Sequence, residues 1–195
     1  MSFSYSNLLG GLSAASQANF VLASGDVASG TEQRDVIIDA GAGAVFAGAG
    51  SDFYLGGGTD ALVDGGAGDD WLLGGDGADT LIGATGDDEL GGGGGADIFV
   101  FAPGPGGAAA DAGDDRILDF SVSDDRIDLS GRGLSFADLL IEPSYLDLPG
   151  GFQVAAGTLV TFDGGSVELV NVAPQAVTAG VFLFEASSGP GPFIG

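Results

Sequence analysis

The sequence has no cysteine, no histidine and no lysine, and its only cations are Arg34, Arg116, Arg126 and Arg132, set against 28 acids for a formal charge of −24. Each absence excludes something. Without thiols there is neither a disulfide nor a cysteine nucleophile, although that alone says little about compartment. Without imidazole there is no zinc site of the usual ligands, no histidine-dependent triad and no H-E-x-x-H protease motif, and no G-x-S-x-G elbow occurs either. Four scattered arginines cannot neutralise a phosphate backbone, so nucleic acid is not expected as a partner. No run of 18 apolar residues is present, so no membrane span is expected. Residues 1–25 lack both a basic n-region and a continuous apolar h-region, so no Sec-type signal peptide is read there.

What the chain has is glycine (39 of 195 residues), aspartate and a large apolar fraction of 45%. An acidic chain is usually disordered, but this one has positive mean hydropathy, which argues against simple disorder. A bound cation reconciles the two facts. Length allows one or two domains.

The chain is organised around residues 65–100, which read in nines. The units are Gly65-Gly66-Ala67-Gly68-Asp69-Asp70-Trp71-Leu72-Leu73, Gly74-Gly75-Asp76-Gly77-Ala78-Asp79-Thr80-Leu81-Ile82, Gly83-Ala84-Thr85-Gly86-Asp87-Asp88-Glu89-Leu90-Gly91 and Gly92-Gly93-Gly94-Gly95-Ala96-Asp97-Ile98-Phe99-Val100. The sixth place is always Asp and the eighth is always large and apolar. A flexible Gly/Asp tract predicts no such phase. Glycines at places one, two and four permit a tight turn with carbonyls on one side, the Asp adds a hard oxygen, and places seven to nine form a short strand whose middle side chain points inward. Two units make one coil. Stacking coils about 4.8 Å apart brings Asp70 near Asp88 and Asp79 near Asp97, where two carboxylates about 5 Å apart repel by roughly 3 kcal/mol. Such a coil is not expected to close without a cation.

The pattern G-G-x-G-x-D-x-U-x resembles the RTX family, the hemolysin-type calcium-binding nonapeptide repeats. Residues 96–101, Asp115-Arg116-Ile117-Leu118-Asp119-Phe120 and Asp124-Asp125-Arg126-Ile127-Asp128-Leu129-Ser130 resemble the serralysin-type C-terminal domain, extending the likeness from about Gly30 to Phe184. The resemblance implies an all-β fold: a right-handed parallel β-roll followed by a C-terminal β-sandwich-like or hairpin segment. It implies a calcium ligand set of Gly66, Gly68 and Asp70; Gly75, Gly77 and Asp79; Gly86 and Asp88; Gly93, Gly95 and Asp97; with Gly48, Gly50, Asp52 and Asp60 as weaker members. Six or more carboxylate and carbonyl oxygens select Ca²⁺ over Mg²⁺, which needs tighter octahedral geometry and keeps its waters. The resemblance further implies export by a type I secretion channel and a place outside the cell or on its surface.

Four regions are expected: an N-terminal arm (1–29), the roll (30–101), a C-terminal β segment (102–184) and a tail (185–195). The lead-in unit is Gly30-Thr31-Glu32-Gln33-Arg34-Asp35-Val36-Ile37-Ile38. Residues 39–46 offer no Asp at place six, where Ala44 stands. Residues 47–55 recover Asp52, and residues 56–62 recover Asp60 with one residue deleted in the turn, so metal occupancy should fade toward the N-terminal end. Residues 102–114 read as a Pro/Gly/Ala loop, in which Asp111, Asp114 or the following Asp115 either closes a last calcium site or is solvated. Ser135 caps a short helix running through Leu140, with Asp138 as capping-box partner. Thr158-Leu159-Val160-Thr161-Phe162 and Ser166-Val167-Glu168-Leu169-Val170 flank a hairpin turn, and residues 181–184 form a last strand.

Places seven and nine hold Phe53, Leu55, Trp71, Leu73, Ile82, Ile98 and Val100. That is not the outward Thr array an ice-binding face needs; it is an apolar row that suits association with another copy or with a cell-surface partner, or else cover within one chain by the N-terminal arm or the C-terminal hairpin. The reading is a secreted calcium-binding protein that folds on calcium outside the cell and acts as a structural or interaction protein, self-assembling at a surface or in a matrix. The alternative is a non-catalytic accessory, export or stabilising module of a secreted hydrolase.

Overall fold

The computed structural model describes residues 19–101 and 113–184; the parts of the expected arm, loop (with Asp111) and tail in residues 1–18, 102–112 and 185–195 lie outside the described residues. Strands β1 (Asn19–Ala23), β3 (Asp35–Asp39), β5 (Phe53–Leu55), β7 (Trp71–Asp76), β9 (Glu89–Gly94) and β11 (Gly113–Ile117) stack in parallel as one sheet. Strands β2 (Val27–Thr31), β4 (Ala44–Ala49), β6 (Leu62–Ala67), β8 (Thr80–Thr85), β10 (Ile98–Val100) and β12 (Arg126–Asp128) stack in parallel as the other. The chain alternates between the sheets, as a parallel β-roll requires.

Stacked positions in the repeats are 18 residues apart: Phe53 pairs with Trp71 and Trp71 with Glu89, Leu62 with Thr80 and Thr80 with Ile98. The inward row is place eight. Ile37, Val45, Tyr54, Val63, Leu72, Leu81, Leu90, Phe99, Ile117 and Ile127 are all completely buried between the sheets. This single file of side chains is the core, and each burial contributes about 1.5–3 kcal/mol. Strands β6 to β9 are six residues long rather than three, because places one to three of the next unit continue the parallel ladder, as the pairing of Gly75 with Gly93 and Asp76 with Gly94 shows. Only places four to six then turn.

The frame differs from the sequence reading in two units. Because Ala44 pairs with Leu62, place six of residues 39–46 is Gly43, not Ala44, and the deletion lies earlier in that turn. Because Leu62 pairs with Thr80, residues 56–64 form a complete unit with Ala61 at place six, and Asp60 stands at place five. The roll also begins before residue 30: β1 pairs in parallel with β3, and β2 with β4.

The C-terminal segment extends the same two sheets. The expected hairpin is β14 (Phe152–Phe162) with β15 (Gly165–Val170), antiparallel, and β15 joins β11 in parallel. A further strand, β13 (Leu140–Leu148), pairs with β14 and forms the edge of the nine-stranded sheet. The short β16 (Phe182–Leu183) pairs with β12. Phe120, Leu129, Val160, Phe162, Leu169 and Phe182 close the core at this end. The helix expected from Ser135 to Leu140 is one 3-10 turn, Phe136–Asp138. Asp138 accepts from both the backbone N–H and the hydroxyl of Ser135 at 2.9 and 2.7 Å, but Leu140 already belongs to β13, whose ladder with β14 outcompetes a second helical turn.

Candidate metal centre

The turns at the two edges of the roll are built alike. Gly66 and Gly68, at places two and four, have φ of 98° and 121°, a region that a Cβ disfavours. A Cβ on Gly68 would also collide with the carbonyl oxygen of Gly50 one coil below. Glycine at place one has another cause: a Cβ on Gly65 would strike Oδ2 of Asp70, five residues on in the same unit. Gly74 stands in the same relation to Asp79, Gly83 to Asp88 and Gly92 to Asp97. The glycines thus clear room around one particular carboxylate oxygen.

The place-six aspartates form two ladders. On the first edge the backbone N–H of Asp35 donates to Oδ1 of Asp52 (2.6 Å), that of Asp52 to Asp70 (2.7 Å), that of Asp70 to Asp88 (2.8 Å) and that of Asp88 to Asp115 (2.8 Å). On the second edge Ala61 donates to Asp79 (2.8 Å), Asp79 to Asp97 (2.9 Å) and Asp97 to Asp125 (3.0 Å). One oxygen of each carboxylate is used in this way. The other, Oδ2 of Asp52, Asp70, Asp79, Asp88 and Asp97, is buried and has no hydrogen-bond partner. A buried ionised oxygen with no donor is strongly disfavoured, and five of them in two rows, beside turn carbonyls, make a donor set of hard oxygens that fits a divalent cation.

The electrostatics agree. Burial, the largest cause, raises the carboxyl of Asp70 to about 7, with the neighbouring Asp88, Asp52 and Asp69 charges adding to it. Burial likewise lifts Asp79 and Asp88 to about 6 and Asp115 to about 8, and raises Asp52, Asp97 and Asp125. In each case the backbone N–H bond opposes the shift without cancelling it.

Of the residues singled out from sequence, Asp52, Asp70 and Asp88 share the first edge with Gly50, Gly68 and Gly86, while Gly48 and Gly66 are paired within the adjoining ladder. Asp79 and Asp97 share the second edge with Gly77 and Gly95, while Gly75 and Gly93 are likewise paired within the adjoining ladder. Asp60 does not join them: it is exposed, and its Oδ1 accepts the N–H of Ala78 at 2.8 Å. Its displacement by one place is the cause. Conversely, Asp35, Asp115 and Asp125 are ladder members outside the expected set, and each precedes a fully buried isoleucine by two residues, the D-x-U signal of the repeat. At two ladder ends Oδ2 is held by protein. Oδ2 of Asp125 accepts the N–H of Ser121 at 2.8 Å, and Oδ2 of Asp35 accepts the N–H and hydroxyl of Thr31 at 2.6 and 3.0 Å, while Oδ1 of Asp35 is buried without a partner among the described residues.

A parallel roll whose edges carry repeating carboxylate and carbonyl oxygens defines a calcium-binding β-roll protein. Residues 64–99 match the model of the RTX calcium-binding nonapeptide repeat in four copies, and the chain belongs to the RTX family, whose repeats bind Ca²⁺. Among solved structures it is similar to the R3 subunit of a mannuronan C5-epimerase from Azotobacter vinelandii, with 31% identity and a TM-score of 0.47 over 72% of this chain and 83% of that one. It is also similar to an extracellular lipase of Serratia marcescens, with 15% identity and a TM-score of 0.35 over 85% of this chain and 42% of the lipase. No curated protein matches. Among the described residues no helix is long and apolar enough to cross a membrane.

Proposed function

We propose that Ca²⁺ occupies both edges of the roll, held by Asp52, Asp70 and Asp88 with carbonyls of Gly48, Gly50, Gly66, Gly68 and Gly86 on one, and by Asp79 and Asp97 with carbonyls of Gly75, Gly77, Gly93 and Gly95 on the other. The observation that carries this reading is the row of buried Oδ2 atoms without partners. The function that follows is that of a secreted protein which stays unfolded where calcium is scarce, passes a type I secretion channel in that state, and folds outside into a structural, self-associating module. Its role is binding, not catalysis, in keeping with a sequence that has no histidine or cysteine.

Magnitudes support a switch. Extracellular calcium modules bind with Kd of roughly 10⁻⁴–10⁻³ M, and at about ten times Kd each site adds about 1.4 kcal/mol. Four such sites would add roughly 6 kcal/mol, comparable to the whole stability of a small domain. Circular dichroism tests it directly: the chain in chelator is expected to be largely disordered and to gain β signal in millimolar Ca²⁺ but not Mg²⁺. An unchanged β spectrum after complete calcium removal would show that folding does not depend on the metal.

A further inference from the structure

Among the described residues two apolar surfaces of the nine-stranded sheet are exposed, at opposite ends. The first is a field of eight side chains in two rows on four consecutive strands: Phe20 and Leu22 on β1, Val36 and Ile38 on β3, Phe53 and Leu55 on β5, Trp71 and Leu73 on β7. Phe20 is 51% exposed, Leu22 64%, Leu55 40% and Trp71 46%. The field stops at the next strands, where Arg116 bridges Glu89 at 3.2 Å and Glu168 at 3.0 Å in a charged belt. Beyond the belt lies the second surface. Strand β14 pairs with β15 only from Gly157 onward, so residues 145–155 of the β13–β14 hairpin project as a two-stranded ribbon, exposed throughout. Cross-strand pairs Leu146–Val154 and Leu148–Phe152 put four apolar side chains on one face of it. Tyr145, Asp147, Gln153 and Ala155 take the other, where Gln153 Nε2 donates to Asp147 Oδ1 at 2.9 Å.

A lone two-stranded ribbon is marginal in water, and this one has an apolar face with nothing described against it. We infer that the ribbon of one copy docks on the Phe20–Trp71 field of a second copy, head to tail. The chemistry of the two surfaces selects this pairing. The field is about 14 Å across four strands and about 7 Å deep, flat, and rimmed by exposed turn carboxylates including Glu32, Asp60, Asp69 and Asp76. Stacking two fields would bring those rims together between chains of charge −24. The ribbon is about 5 Å by 7 Å across its apolar face, projects clear of the roll, and carries its single carboxylate, Asp147, on the opposite face. It reaches the field without bringing two acidic rims together, and it meets the aromatic pair Phe53–Trp71, packed edge to face at 6.0 Å, a type of residue that anchors interfaces. A contact between unlike patches joins copies head to tail, as an open chain that lengthens with concentration or, where the rotation between neighbours allows, as a closed ring.

This inference rests on the calcium-folded roll, so association is measured in saturating Ca²⁺ with the β signal of each sample read beside it. Two variants carry the test: Trp71→Ser/Leu73→Ser breaks the field, and Leu148→Ser/Phe152→Ser breaks the ribbon. By light scattering, wild type is expected to grow with concentration and each variant alone to stay monomeric. Their equimolar mixture should form a species of about twice the monomer mass, since one intact ribbon then meets one intact field and the chain cannot extend. If the field variant alone still dimerises, ribbons pair with ribbons; if the ribbon variant alone does, fields pair with fields; if wild type stays monomeric or the mixture shows no dimer, the two surfaces do not meet. Each of these results overturns the head-to-tail contact. Should the field variant lose its calcium-induced β signal, Phe20→Ser/Leu22→Ser in the terminal strand replaces it. Loss of β signal in wild type would instead count against the calcium reading.

Discussion

Each place-six aspartate divides its two oxygens between a neighbour's backbone and the turn, and this division decides what a substitution does. Asp70 has a ladder partner on both sides, Asp52 and Asp88, and an unpartnered Oδ2. Asp76 is exposed at place three. Asp70→Asn keeps a carbonyl oxygen for the N–H of Asp52 but removes the charge a cation needs, so the calcium midpoint followed by circular dichroism is expected to rise several-fold, roughly 1 kcal/mol or more per site affected. Asp76→Asn is expected to leave it nearly unchanged. Equal shifts would mean that bulk charge, not position in the nonapeptide, controls binding. Asp70, Asp79, Asp88 and Asp97 are legible in the sequence because every unit there keeps its glycines at places one and four and its inward residue in phase, even where Ala84 replaces the glycine at place two. A frame counted from the nearest aspartate puts Asp60 at place six, one place from where the pairing of Leu62 with Thr80 sets it. The surer marker is the buried residue at place eight, here Val63, since a slipped Asp remains solvated whereas a slipped core residue leaves a hole.

At the level of the element, the unit at residues 83–91 has Ala84 at place two with φ of 77°, one of two non-glycine residues with positive φ among the described residues. The equivalent Gly66 and Gly75 lie at 98° and 103°. Left-handed backbone costs a residue with a Cβ about 1 kcal/mol, so Ala84→Gly is expected to stabilise the calcium-loaded roll by about that amount, read as a higher melting temperature. A lower one would mean that the entropy lost by a new glycine outweighs the relief of the turn. Elements outside the repeats were less legible. Strand β13 has no clean alternation because its outer half is exposed on both faces, and it contains Pro143, which is tolerated at an edge but reads against a strand. The way β15 and β16 join the roll's own sheets rests on contacts distant in sequence, Arg116 with Glu168 and Ile127 with Phe182, that no local pattern announces.

For the molecule as a whole, protons and calcium compete for the same buried oxygens, and their effects on folding have opposite signs with pH. Burial holds the carboxyls of Asp79 and Asp88 at about 6, Asp70 at about 7 and Asp115 at about 8, against a value of 3.8 for the exposed group. Between 3.8 and about 8 the metal-free folded roll therefore binds more protons than the unfolded chain. Stability of that roll rises as pH falls through this window and is lost as pH rises through it. Calcium requires the ionised form, so its affinity falls as pH falls through the same range. The chain in chelator is expected to be disordered at pH 8 and to recover part of its β signal near pH 5, as protonation removes the buried charge and lowers the net charge of −24. In millimolar calcium the β signal should instead persist at pH 8, with a calcium midpoint that moves to higher concentration on acidification. Paired titrations with and without chelator, followed by circular dichroism, measure both arms. A chelated chain equally disordered at pH 5 and pH 8 would mean that something other than buried ionised carboxylates keeps the metal-free roll open.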